Sequence, residues 1–306
     1  MYKVGKIKKQ KGTIMKFLIL GASGMAGHTI ALYLKEQGHA VLGFDRRPVP
    51  FVECVTGDAT NLNLLRGLIF REEYDAVINC IGILNQAAER NKDSAVFLNS
   101  YLPHFLAAAT KERKTQVIHM STDCVFSGKS GNYVEEAPRD GETFYDRTKA
   151  LGELEDEKNI TLRNSIVGPD MNPDGIGLLN WFMKQEGPIN GYTRALWTGM
   201  TTLQLAKIME KAAAQRAHGL YNMVPNRHIS KYGLLGLFNR YLRNDAVEIR
   251  PDDGFAADKT LIRTRFEFGE LVSDYETMVK ELAEWMKAHA DLYPHYRLGR
   301  NCVWTG

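Results

Sequence analysis

Tyr145 and Lys149 stand four residues apart, a spacing that puts both side chains on one face of a helix. A phenol with its ordinary pKa of about 10 is a poor acid or base near neutrality. An ammonium group beside it favours the phenolate and is expected to lower that value. Thr122 ends the apolar run QVIHMST at 116–122, where its hydroxyl would point into a cleft and bond a carbonyl oxygen. Together the three residues form a proton-transfer site suited to work beside a hydride donor. Tyr-x-x-x-Lys by itself is usually surface packing, so its weight here comes from the segments that precede it.

The strand-like KFLIL at 16–20 runs into GASGMAG at 21–27, and a helical stretch follows from His28 to about Gln37. Gly21 can take a turn that a side chain would obstruct. Gly24 lets the backbone approach a pyrophosphate, and Gly27 permits close contact between helix and sheet. The phosphates would then sit on free N–H groups at the helix N-terminus. The order of strand, glycine turn, helix and acidic residue predicts a dinucleotide site, with a purely structural tight turn as the alternative. The spacing is GxxGxxG rather than GxGxxG, which marks a different branch of the fold. The expected cofactor contacts are Gly21, Ser23, Gly24, Met25, Gly27, Asp45, Arg46, Asp58, Ala59, Cys80, Gly82, Asn99 and Lys149. Asp45 suits the ribose hydroxyls of NAD, whereas Arg46 and Arg47 suit a 2′-phosphate. NADP and NAD therefore both stay open. Asp58 has two readings of equal standing, an adenine contact and a helix cap.

The elements that must hold these groups alternate. Apolar strands are expected at 39–44, 51–55, 75–82, 116–122 and 160–168, with helices over about 61–70, 91–110 and 144–157 between them. Such alternation predicts an α/β fold: a Rossmann-type parallel sheet with helices on both faces. Residues 1–14 read as a basic tail expected to be disordered. Residues 15–168 read as the dinucleotide-binding domain. Residues 169–306 read as a smaller, mostly helical substrate part, some of whose elements return to the sheet. In that part helices are expected near 201–215, 230–242 and 270–289, a strand near 219–223, and irregular chain over 169–194, with a helix-like patch at 177–185, and over 244–268.

The composition fits a globular protein, at 44% hydrophobic and 25% charged. The net charge of +3 owes much to Lys3, Lys6, Lys8, Lys9 and Lys11. Without them 34 basic residues face 36 acidic ones, which argues against nucleic acid as the main partner. Cys54, Cys80, Cys124 and Cys302 form no CxxC pair, as expected in a reducing, cytoplasmic compartment. No apolar run is long enough for a membrane span. His104, His119, His218 and His228 have no metal-ligand spacing, so no metal is expected, and His119 reads as a core histidine.

The segments GASGMAG, STDCVFSG at 121–128, YDRTKALGE at 145–153 and LRNSIVG at 162–168 resemble the extended short-chain dehydrogenase/reductases, and among them the dTDP-4-dehydrorhamnose reductase family. The resemblance is specific over about 15–168 and looser over 169–289. It implies NAD(P)H-dependent reduction of the 4-keto group of a nucleotide-linked deoxysugar, in the synthesis of surface polysaccharide precursors. Thr122, Tyr145 and Lys149 would be the catalytic set. Tyr145 would protonate the oxygen as hydride reaches C4, and Lys149 would also hold the nicotinamide ribose. The resemblance further implies that Asn99 supports the active-site strand and that Gly82 lines the cofactor channel.

On the substrate side it implies contacts from Asp123, Cys124, Asn180, Arg194 and Trp197. Arg194 would grip a pyrophosphate in two-pronged fashion, with a plain surface charge as the alternative. Trp181 reads as core, and Arg263 and Arg265 are weaker candidates. The family often has STDYVF and an aromatic near Ile166; here these positions are Cys124 and Ile166. Losing two large aromatics implies a roomier sugar pocket, for which a UDP-linked N-acetylated 4-keto sugar is one candidate. A nucleotide-sugar epimerase with retained NAD(P), and a non-catalytic subunit that binds a partner enzyme, are the rival readings. The expected partner is a nucleotide sugar, and a homodimer through helices beside the sheet is the family's habit.

Overall fold

The computed structural model describes residues 13–225, 227–296 and 298; residues 1–12 of the expected tail and Cys302 lie outside them. In chain order the first part holds β1 (Lys16–Leu20), α1 (Met25–Glu36), β2 (Ala40–Asp45), β3 (Glu53–Thr56), α2 (Leu62–Arg71) and β4 (Ala76–Asn79). Next come α3 (Asn85–Arg90), α4 (Lys92–Ala95), a π-helical turn (Val96–Tyr101), α5 (Leu102–Ala109), β5 (Gln116–Ser121), α6 (Phe144–Leu151) and β6 (Ile160–Arg163). The remainder holds β7 (Ser165–Val167), α7 (Leu178–Met183), β8 (Ile189–Trp197), β9 (Gly199–Thr201), α8 (Thr202–Gln215), β10 (Gly219–Asn222), β11 (Ile229–Ser230), α9 (Lys231–Arg243), β12 (Ile249–Asp258) and α10 (Tyr275–Ala288).

Seven strands form one parallel sheet in the order β10-β6-β5-β4-β1-β2-β3. This is the expected Rossmann-type architecture. β1 shows why both faces are covered: Phe17 and Ile19 enter one apolar cluster with α1, α8 and α10, while Leu18 and Leu20 enter another with α2 and α5. A strand buried on both faces reads as a continuous apolar run. The chain winds outward from β1 through β2 to β3, then crosses to β4 on the other side of β1. Ligands of open α/β sheets bind at this reversal, in the crevice beyond the strand C-termini.

Several elements differ from the expected ones. The run 160–168 is two strands, because Asn164 breaks it and β7 leaves the sheet to pair with β9. The helix expected over 91–110 carries a π turn in its middle. α6, expected over 144–157, stops at Leu151, and Gly152 after it packs on the backbone of Asn99, where a Cβ would lie 1.9 Å from the Asn99 oxygen. Four strands go unread in the sequence: β8 and β12, which pair in parallel and with β11 make a second, three-stranded sheet, and β9, the partner of β7. Trp181, expected in the core, is 42% exposed. Among the described residues no helix is long and apolar enough to cross a membrane.

Candidate active site

The glycine turn lies at the sheet's reversal point. Gly21 has φ +82°, in the left-handed region that favours glycine, and a Cβ there would meet Cys80 at the end of β4 at 3.2 Å. Gly24 caps α1 with no side-chain hydrogen bond, so the first-turn N–H groups face outward, as an anion requires. Gly27 packs so tightly on the turn that a Cβ would lie 2.0 Å from the Gly21 oxygen. A Gly27→Ala variant is therefore expected to force α1 from the turn. It should lose about 1–3 kcal/mol of stability, the range for overpacking, and bind dinucleotide more weakly. Thermal melts and a fluorescence titration of NADPH check this; unchanged values in both would show that the turn tolerates the shift.

The reacting groups come from two neighbouring elements. A capping box between Thr143 and Asp146 starts α6 and so fixes the phase of Tyr145 and Lys149. Lys149 Nζ donates to the Met120 carbonyl at 2.7 Å, which ties the helix to β5. Thr122 follows β5; its Oγ1 accepts from the Cys124 N–H and donates to Asp123 Oδ1, each at 3.1 Å. Thr122, Tyr145 and Lys149 line one cavity of about 420 Å³ with Gly24, Met25 and Cys80.

Burial governs the titration of these groups. It pushes the Tyr145 phenol upward, with Cys124 and Asp123 adding to the rise against a hydrogen bond from Thr122. This reverses the direction expected from a Tyr–Lys pair: in the folded chain burial outweighs any help from Lys149, and the phenol stays protonated. Lys149 is pushed down to about 8 by burial, against the pull of Glu153 and Cys80. Burial raises Asp123, opposed by Thr122, Lys231 and Lys259. The arrangement places a protonated phenol, a hydroxyl and an ammonium group on one open cleft.

The other expected cofactor residues fall in three groups. Gly82 lines the same cavity. Asp45 braces the turn, with Oδ2 accepting from Ser23 N–H at 2.8 Å and Oδ1 from Arg46 N–H at 2.7 Å. Arg46 is exposed. Asp58 caps the local turn through Thr60, and Ala59 is buried against α2 and β2. Asn99 sits in the π turn and ties the Ile83 backbone to Thr148 of α6 at 2.8–3.1 Å, so it links the two segments that border the cavity.

Among the expected substrate residues, Asp123 and Cys124 line the cavity, as does Ile166. Asn180 is buried and donates to the carbonyls of Pro173 and Gly175, shaping the loop that brings Ile176 and Gly177 to the cavity rim. Arg194 opens onto a separate groove with Gly128 and Asp258. Trp197 is buried under the Lys231 ammonium, 5.0 Å from its ring. Arg263 is caged by the carbonyls of Arg265, Phe268 and Glu270, and Arg265 pairs with Glu136 and Glu155. Asn164 and Asp170 line the cavity and were missed in the sequence. Lys231 stands near enough to Asp123 to oppose the rise of its carboxyl, a nearness that depends on a tertiary contact.

A model described as the RmlD substrate binding domain matches residues 15–264. The probable low-salt glycan biosynthesis reductase Agl14 of Haloferax volcanii is 33% identical over 143 residues, 45% of this chain. The chain spans about half the length of that relative, 48%. The dTDP-4-dehydrorhamnose reductase of Burkholderia thailandensis is 34% identical over 234 residues, 72% of this chain and 76% of that protein. The crystal structure of dTDP-4-dehydrorhamnose reductase from Bacillus anthracis in complex with NADP has a TM-score of 0.73 at 18% identity, covering 88% of this chain and 99% of that one. The structural likeness speaks for the fold. A family model that runs from β1 to beyond β12, and a relative this similar over most of the chain, carry the membership: this chain belongs to the RmlD substrate binding domain family.

Proposed function

We propose that this chain is an NAD(P)H-dependent reductase of the 4-keto group of a nucleotide-linked deoxysugar, serving polysaccharide synthesis. One observation carries the reading: Thr122, Tyr145 and Lys149 meet in the cavity that begins at the glycine turn. The residues present suit a dinucleotide. The start of α1 is uncapped, Gly24 and Gly27 keep the turn free of side chains, and the cavity continues past Cys80 to Lys149. These residues would hold a reduced nicotinamide, which would supply the hydride for C4 of the sugar. Tyr145 donates its phenolic proton to the carbonyl oxygen, and the Thr122 hydroxyl, turned from Asp123, holds that oxygen by a hydrogen bond. Lys149 steadies the nicotinamide ribose and the phenolate left behind. The part after residue 168 would hold the sugar nucleotide, with Arg194 and its groove taking the diphosphate end. The small side chains of Cys124 and Ile166 leave room for a substituted sugar, such as an N-acetylated one. A reducing cytoplasm is the compartment this activity implies.

NADPH or NADH with a panel of 4-keto nucleotide sugars is the direct test. The expected result is a product two daltons heavier than its substrate, with equal loss of cofactor absorbance. Isomerisation without cofactor loss would replace this reading with the epimerase. Cofactor binding without turnover, together with stable capture of a larger enzyme, would replace it with the non-catalytic subunit.

A further inference from the structure

Asn164 is the first residue after β6, one step beyond the Ser121–Arg163 register pair and so next to Thr122. It is 2% exposed and lines the cavity. Neither its Nδ2 nor its Oδ1 has a hydrogen-bond partner. Other buried asparagines behave differently. Asn79, Asn99, Asn159, Asn222 and Asn239 each use both ends of the amide on protein groups. Asn180 uses its Nδ2. Among the described residues, Asn164 is the buried asparagine that uses neither end. An unpaired buried carboxamide costs free energy, and a cavity wall is where a ligand can repay it.

We infer that Asn164 pairs with the carboxamide of the nicotinamide ring and thereby fixes which face of the ring meets the substrate. The inference rests on the nicotinamide reading above. Two arguments select this partner. An asparagine amide offers one donor and one acceptor side by side; a primary carboxamide returns both from one edge, as the imide edge of a pyrimidine base also does, and position decides between them. A trans acetamido group directs its N–H and C=O to opposite sides. The second argument is position. The cavity runs from Gly24 and Met25 past Cys80 and Met120 to Asn164, across the strand order β1, β4, β5, β6. A dinucleotide whose pyrophosphate sits at α1 brings its far end to β6.

The test compares NADPH with its 3-acetylpyridine analogue, in which a methyl group replaces the amide nitrogen. Wild type is expected to bind NADPH about tenfold more tightly than the analogue, the factor typical of one good hydrogen bond. In Asn164→Leu, which keeps the shape without polar atoms, that preference should fall to near unity. Asn164→Ala provides the same comparison if the leucine variant fails to fold. An equal preference in wild type and variant would overturn the assignment. So would a loss confined to the KM of the sugar, which would give Asn164 to the substrate instead. Wild type that binds neither nicotinamide compound would overturn the cofactor reading itself, and the assignment with it.

Discussion

Tyr145→Phe is expected to lower kcat by about 10²–10⁴-fold, the span of a positioned general acid, while NADPH binding stays intact. The phenol contributes one proton, and the fold offers no substitute in its place. Thr122 has its hydroxyl proton on Asp123, and Lys149 is held on the Met120 carbonyl. Removing one oxygen leaves the Tyr145 ring in its contacts with Ala88 and Ala95, and the glycine turn is untouched. Single-turnover kinetics beside a cofactor titration separate the two effects. A variant that keeps more than a tenth of wild-type turnover would show that another group gives the proton. At neutral pH Tyr145 enters the reaction carrying its proton, as the reducing direction needs, while burial makes it a weaker acid than a free phenol.

The parts of this molecule that could be read from sequence are those whose cause is local. GASGMAG works through backbone conformation and close contact within seven residues, and Gly21, Gly24 and Gly27 stand where those demands fall. Tyr145 and Lys149 share a face because a helix must place them so, and β1 is apolar from Phe17 to Leu20 because both its sides are covered there. Where the cause is distant, no local pattern marks it. β12, IRPDDGFAAD, is exposed over most of its length and contains Pro and Gly, so it lacks the alternation that marks a half-buried strand. It is a strand because β8 lies beside it. Arg263 reads like a ligand-gripping arginine, yet three backbone carbonyls within seven residues already occupy it. Asn164 reads as a break between strands, and its unpaired amide shows only once every neighbour has been placed. The fall of the Tyr145 prediction belongs here too: Tyr-x-x-x-Lys speaks of charge, whereas the depth of burial that outweighs it comes from tertiary packing.

Arg163→Met should be the most destabilising single change near the site, costing about 3–5 kcal/mol, the usual result of breaking a buried ion pair from one side. Against a total stability of about 5–15 kcal/mol, such a loss shows plainly in urea unfolding. Arg163 is wholly buried. Its Nε and Nη2 grip the two Glu153 oxygens at 2.9 and 2.8 Å, its Nη1 reaches Asn222 at 3.1 Å, and its guanidinium lies over Phe126. Without it, Glu153 stays buried with Ser121 and Arg139 as remaining partners. Burial by itself would push the Glu153 carboxyl up; hydrogen bonds and charge from Arg163, with help from Ser121 and Arg139, hold it below the ordinary 4.5. A depressed carboxyl contributes stability above its unfolded pKa and loses it as pH falls through the folded one. In the variant the same carboxyl rises, so acid neutralises a charge that has become costly to bury. The stability gap between wild type and Arg163→Met should therefore be widest near neutrality and narrow on acidification toward 4.5. A gap independent of pH would mean that the arginine acts by filling space. Because Glu153 also accepts from Ser121, the residue before Thr122, a charge-based loss should reach the active site as well, lowering turnover in protein that is still folded.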